Sequence, residues 1–161
     1  KRRDFKLVLL GKYQPENNLF HREVMAAASN EVLFPGAVYD KAIVEALRFH
    51  SRLYIHGHRV GGTNPSLVEA LGAGSAVLAH DNRFNRWVAG AGARYFSSTS
   101  DCSEALDNLL TDDAEIERMR IASRARYKDV FTWEAILKQY EKLLRAWLSQ
   151  NLECLQESTG S

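Results

Sequence analysis

With 161 residues, 45% of them hydrophobic and 25% charged, the chain has the makeup of one soluble globular domain that needs neither disulfides nor metal to fold. Its 21 Lys and Arg nearly balance 20 Asp and Glu, for a formal charge of +1, which excludes the strong basic excess of a general nucleic-acid binder. Cys102 and Cys154 lie far apart, as in a reducing compartment, and no apolar run suffices for a signal-peptide core or a membrane span, so a cytoplasmic protein is expected.

The opening Lys1-Arg2-Arg3 lacks a Met and reads as the start of a piece of something longer. Lys6 to Gly11 reads as a strand, and Glu16 to Ser29 as a helix after the breaker Pro15. Glu31 to Phe34 is strand-like and stops at Pro35-Gly36. Asp40 caps a helix through Phe49. Leu53 to His56 and Ala76 to Ala79 are the next strands, and the helix between them runs from Pro65 to about Ala73, ended by Gly74. Asn85 to Ala89 reads as a short helix and Ala93 to Phe96 as a last strand. Asp101 to Leu110, Asp112 to about Val130 and Thr132 to Leu148 are helical, and the polar residues after Ser149 are expected to fray. Strands alternating with helices at this spacing predict an α/β, three-layer, Rossmann-like parallel sheet with helices on both faces and a helical C-terminal segment. The expected organisation is one domain over 1–149 and a flexible tail over 150–161. In such sheets ligands sit at the carboxyl ends of the strands, so the strand-to-helix loops carry function.

The stretch with chemistry in it runs from His56 to Ala70. Asn64 is a good N-cap, and Pro65 at the first helical position needs no amide partner. The N–H groups and dipole of that helix start favour an anion. Gly61 and Gly62 remove side chains where a phosphate-bearing ligand would approach the backbone, and Thr63 adds a hydroxyl. Glu69, one turn into the helix, shares a face with Pro65 and Ser66. A carboxylate repels phosphate but holds neighbouring sugar hydroxyls, so the arrangement suits a ligand anionic in the middle and hydroxyl-rich at its ends. The same residues also make a plain helix entry, and on spacing alone both readings stand. No Gly-x-x-x-x-Gly-Lys-Ser/Thr motif is present, and Gly72-Ala73-Gly74 and Gly90-Ala91-Gly92 sit where helices end or strands begin, so neither is a dinucleotide fingerprint. No carboxylate pair or His cluster has ligand spacing, so no tightly bound metal is expected.

The run from His56 to Gly74, with Ala79-His80-Asp81-Asn82 and Phe84-Asn85-Arg86, resembles the donor-binding domain of GT-B glycosyltransferases of family 4. It looks closest to a bacterial, rhamnosyltransferase-like branch of surface-polysaccharide assembly, which Phe34-Pro35-Gly36-Ala37-Val38 and Phe131-Thr132-Trp133-Glu134 also resemble. The resemblance covers roughly residues 6 to 147. It implies retaining transfer of a sugar from a nucleoside diphosphate sugar, bound as substrate with no separate cofactor. It further implies an N-terminal acceptor-binding domain outside this chain, a glycan or lipid-linked acceptor, and no transfer by the fragment alone. In that family two glutamates separated by seven residues mark the donor site. The second falls on Glu69, with a ribose-binding role; the first falls on Gly61, so that contact to the transferred sugar is missing and the amides of Gly62, Thr63 and Asn64 are left to replace it. Val38 and Tyr39 correspond to the segment beside the base.

The remaining residues divide more evenly. His58 is read either as touching donor phosphate or sugar or as bonded to local backbone, and Arg59 either as a phosphate ligand or as a solvated loop cation. His56 is expected to orient the loop. Asp81 is expected to bond its own turn with Asn82, while Asn85 and Arg86 are weak candidates for reaching the donor. The basic run Arg118, Arg120, Arg124, Arg126 and Lys128 follows acids and reads as a solvated helix face, with peripheral contact to an anionic membrane left open. Leu137, Tyr140, Leu144 and Trp147 form an apolar stripe. The rival reading is a non-catalytic nucleotide-sugar-binding or scaffold protein.

Overall fold

The computed structural model describes residues 5–159, with side chains through residue 149. The expectations about Lys1-Arg2-Arg3, Cys154 and the side chains of the tail lie outside the described residues. Two compact units are present, one ending at Ala46 and one beginning at Leu47. Among the described residues, five strands form two parallel sheets, one in each unit.

In the first unit β1 (Leu7–Leu10) and β2 (Val32–Gly36) pair in parallel, Leu7 opposite Val32 and Leu10 opposite Gly36, with a register irregularity after Val8. Between them α1 (Leu19–Ala27) begins later than its apolar pattern suggests, because Asn18 is extended and its side chain accepts the His21 N–H. β2 runs through Pro35 to Gly36, where a stop before Pro35 was expected. A proline costs a strand only its donor, and the Gly36 carbonyl still accepts from Gly11 N–H at 3.1 Å. The next helix, α2 (Lys41–His50), is capped as expected by the Asp40 carboxylate, which accepts from the Ala42 and Ile43 amides.

The second unit holds the core. β3 (Tyr54–His56), β4 (Val77–His80) and β5 (Arg94–Phe96) lie side by side in that order, all parallel. Residues 76–79 are apolar and wholly buried, as a strand covered on both faces requires. Val77 and Ala79 pack on Leu67 and Leu71 of α3 (Pro65–Gly72) and on Val88 and Ala89 of α4 (Arg83–Ala89). Ala76 and Leu78 face the other way, onto Leu109 of α5 (Thr99–Leu109) and Ile116 and Met119 of α6 (Asp113–Val130). The period-two alternation of one short strand thus sorts helices onto both faces.

Local signals set the helix ends. Ser98 and Asp101 form a reciprocal capping box, so α5 starts at Thr99 rather than at Asp101. Asp112 caps α6 by accepting the Glu115 N–H. Gly74, at φ +70°, closes α3: its N–H donates to the Leu71 carbonyl and the Ser75 N–H to the Ala70 carbonyl. A single 3-10 turn, Gly90–Gly92, follows α4, and there α6 comes so near that a Cβ on Gly92 would stand 2.3 Å from the Ala122 Cβ. The last helix, α7 (Trp133–Thr159), continues past Leu148, where the helix was expected to end. Its Leu137, Tyr140, Leu144 and Trp147 are exposed.

Candidate functional site

The segment between β3 and α3 lies at the carboxyl end of the sheet, where ligands sit in parallel α/β folds. It starts at a buried imidazole. His56, 1% exposed, stacks between Tyr54 and His58, the two histidine rings 4.7 Å apart and 18° from parallel. Burial, with the His58 ring as a second cause, pushes its pKa down to about 4, so it is neutral at physiological pH. Its Nε2 is buried without a hydrogen-bond partner among the described residues.

Residues 57–63 then run exposed to solvent. Gly61 has φ +132°, a region closed to most side chains, and a Cβ at either Gly61 or Gly62 would meet nothing within 4 Å. The backbone there is accessible to a ligand, and its path at Gly61 requires glycine. At the helix entry Asn64 is extended, and its Oδ1 accepts both the Ser66 N–H at 3.1 Å and the Ser66 hydroxyl at 2.7 Å. Pro65 fills the first helical position. The Ser66 amide is therefore taken, which leaves the Gly62, Thr63 and Asn64 amides as the backbone donors nearest a ligand on the loop.

Glu69 is half exposed on α3, and its Oε2 lies 2.7 Å from Nη1 of Arg48 in α2. Sequence reasoning missed Arg48, which reads locally as a cation in the last turn of a helix. The pair offsets a negative charge that would otherwise repel an anion held over the same helix end.

His58 is bound locally through its backbone: its carbonyl accepts from Asn82 Nδ2 at 3.0 Å and Asn85 Nδ2 at 2.9 Å. Arg59 Nε donates to His80 Nε2 at 3.3 Å, and the other ring nitrogen of His80, Nδ1, is buried without a partner among the described residues. His58, Arg59, Gly61, Gly62, Thr63, Asn64, Ser66 and Glu69 all lie in the second unit, on the segment from the end of β3 into α3. Val38 belongs to the first unit, between β2 and α2.

One expectation is corrected here. Asp81 does not bond its own turn with Asn82. Its carboxylate takes Arg86 through both oxygens, at 2.5 and 2.7 Å, and that bond holds the Asp81 pKa below its ordinary value. Asn82 instead caps α4 through Oδ1, accepting from Phe84 and Asn85 amides. Asn85, a weak candidate for reaching the donor, is 3% exposed, and its amide also donates to the His80 carbonyl at 2.8 Å.

The basic run on α6 is largely engaged within the unit. Arg118 pairs with Glu115, Arg124 with Glu117, Arg120 donates to the Ser51 carbonyl, and Arg126 donates to Trp87 and Val88 carbonyls. Among the described residues no helix is long and apolar enough to cross a membrane, and no three His, Cys, Asp or Glu side chains gather as a metal site would need.

The sequence matches the family described as "Glycosyl transferases group 1" over residues 1–128, and the chain belongs to that family. None of the curated proteins matches the sequence. Among solved structures, the chain is similar to Anabaena Alr3699/HepE in complex with UDP (TM-score 0.73, 16% identity, 88% of this chain and 41% of that one). It is also similar to sucrose-phosphate synthase from Thermosynechococcus elongatus (0.70, 18%, 90% and 39%) and to a chain of the GtfA/B complex (0.68, 18%, 88% and 29%). These likenesses establish an α/β, Rossmann-like fold, and the chain spans less than half the length of each neighbour.

Proposed function

We propose that this chain is the donor-binding domain, over residues 1–149, of a retaining glycosyltransferase with a GT-B architecture, of the rhamnosyltransferase-like kind that builds surface polysaccharide. The observation that carries the reading is the open backbone at Gly61 and Gly62, directly before the capped start of α3. A diphosphate laid over residues 61–64 meets the Gly62, Thr63 and Asn64 amides and the favourable end of the helix dipole. Glu69, its charge offset by Arg48, accepts hydrogen bonds from ribose hydroxyls, with Ser66 on the same face. His58 and Arg59 flank the phosphates. The transferred sugar loses the carboxylate that the family places at Gly61, so the adjacent amides are its nearest protein donors. A nucleotide sugar enters as substrate, and transfer to a glycan or lipid-linked acceptor belongs to a whole protein that adds an acceptor-binding domain.

The neighbouring Anabaena structure contains UDP, which makes UDP the first ligand to test beside ADP, GDP and dTDP. Calorimetric titration of each into the chain is expected to show saturable 1:1 binding for at least one, weakened about tenfold or more by Glu69→Ala. Absence of binding by all four nucleotides would overturn the reading.

A further inference from the structure

Residues 57–63 are all exposed, so no apolar burial fixes the loop on which the proposed donor site is built. Side-chain hydrogen bonds fix it instead, and they converge on two consecutive residues. Asn82 Nδ2 and Asn85 Nδ2 both donate to the His58 carbonyl, saturating its two lone pairs. The second hydrogen of Asn85 Nδ2 goes to the His80 carbonyl at the end of β4, and Arg59 Nε reaches the His80 ring. Asn85 is 3% exposed, so its two donors satisfy two carbonyls at a site shielded from water. Asn82 is in turn held by the cap it makes on α4. The chain of contacts runs from the start of α4, through two side-chain amides, to the backbone three residues before Gly61.

We propose that Asn85, assisted by Asn82, is a positioning residue for the donor loop: it touches no substrate but holds the His58 carbonyl so that the Gly62, Thr63 and Asn64 amides present one preorganised surface to the diphosphate. This rests on the donor-binding reading above. The chemistry is specific to an amide. Aspartate at 85 has the same shape, but an ionised carboxylate would face two carbonyl oxygens with no proton to give. Once protonated it regains one donor. The charged groups on the elements that hold this position are Arg59 of the loop, whose Nε donates to the His80 ring, the Asp81–Arg86 ion pair at the start of α4, and Arg83, which lies over the Phe84 ring.

The test uses the 161-residue chain and its Asn85→Asp, Asn85→Leu and Asn82→Ser variants, with UDP, ADP, GDP and dTDP as probes. Serine at 82 preserves a helix cap while deleting only the donor to His58, so it remains informative if position 85 tolerates nothing. Asn85→Asp should bind the preferred nucleotide roughly tenfold more weakly than the parent at pH 8 and recover several-fold relative to the parent at pH 5.5. Asn85→Leu should be weak at both. Backbone order parameters of the ligand-free variants should fall at residues 59–63 and stay unchanged in β4 and α3. Parent-like affinity in Asn85→Asp at both pH values, or unchanged order parameters in Asn82→Ser and Asn85→Asp, would overturn the inference while leaving donor binding intact. A parent chain that binds none of the four nucleotides would defeat the donor reading and this role together.

Discussion

Arg48 in the last turn of α2 and Glu69 in the second turn of α3 form an ion pair of 2.7 Å across 21 residues of sequence, the arginine largely buried and the carboxylate half exposed. An ion pair this open contributes no more than about 1 kcal/mol to folding. Its larger consequence is electrostatic, since it offsets the carboxylate charge beside the α3 entry. Arg48→Gln should therefore leave the unfolding midpoint nearly unchanged but weaken nucleoside diphosphate binding several-fold, with the loss shrinking as salt rises. Calorimetry at two ionic strengths checks this, and equal affinities in parent and variant would make the pair purely structural.

Gly61 and Gly62 have similar empty surroundings but differ in backbone. Only Gly61, at φ +132°, lies where a side chain is strained. Gly61→Ala should cost about 1–3 kcal/mol in urea unfolding, and Gly62→Ala less than about 1 kcal/mol. Gly61→Glu, which supplies the carboxylate common in the family, should likewise be destabilised and should not gain donor affinity. Unfolding curves for the three variants decide the matter.

Where the 3-10 turn meets α6, space rather than backbone angle is decisive. A Cβ at Gly92 would stand 2.3 Å from the Ala122 Cβ, and neither atom can swing away on a flexible side chain. Gly92→Ala should destabilise by about 1–3 kcal/mol, lowering Tm by several degrees. The double variant Gly92→Ala with Ala122→Gly should recover more than the helix penalty of the new glycine costs. A double variant no more stable than Gly92→Ala would show that the contact is not the cause.

His56 makes the fold sensitive to acid. Its pKa is about 4 in the folded chain against an ordinary 6.5, so the unfolded chain binds the proton more readily. The neutral ring's contribution is present in full above pH 6.5 and is lost as the pH falls toward 4. The whole effect is on the order of 3 kcal/mol. Unfolding free energies measured from pH 8 to pH 4.5 should fall more steeply for the parent than for His56→Asn. Parallel curves would contradict the burial argument.

Features governed by neighbours in sequence were legible before any coordinates. The Asn64-Pro65 entry and the Gly74 exit of α3 follow from cap chemistry within a few residues, and the buried strand of residues 76–79 follows from its unbroken apolar run. What escaped depends on partners brought close only by folding. Arg48 meets Glu69 across 21 residues of sequence, and no local pattern announces it. Asp81 and Asn82 are both good turn residues, and which of them caps α4 is decided by Arg86, which takes the Asp81 carboxylate and leaves Asn82 to the helix. Asn85 reads only as a weak candidate for reaching the donor, because nothing beside it in sequence announces its burial. Its burial follows from the return of the α3 loop over β4.

The most direct test of the central claim follows backbone amide shifts in the labelled chain during titration with the nucleoside diphosphate that binds best. The account predicts the largest changes at residues 58–69, led by Gly61, Gly62, Thr63 and Asn64. Shifts confined to surfaces away from residues 57–70 would contradict it.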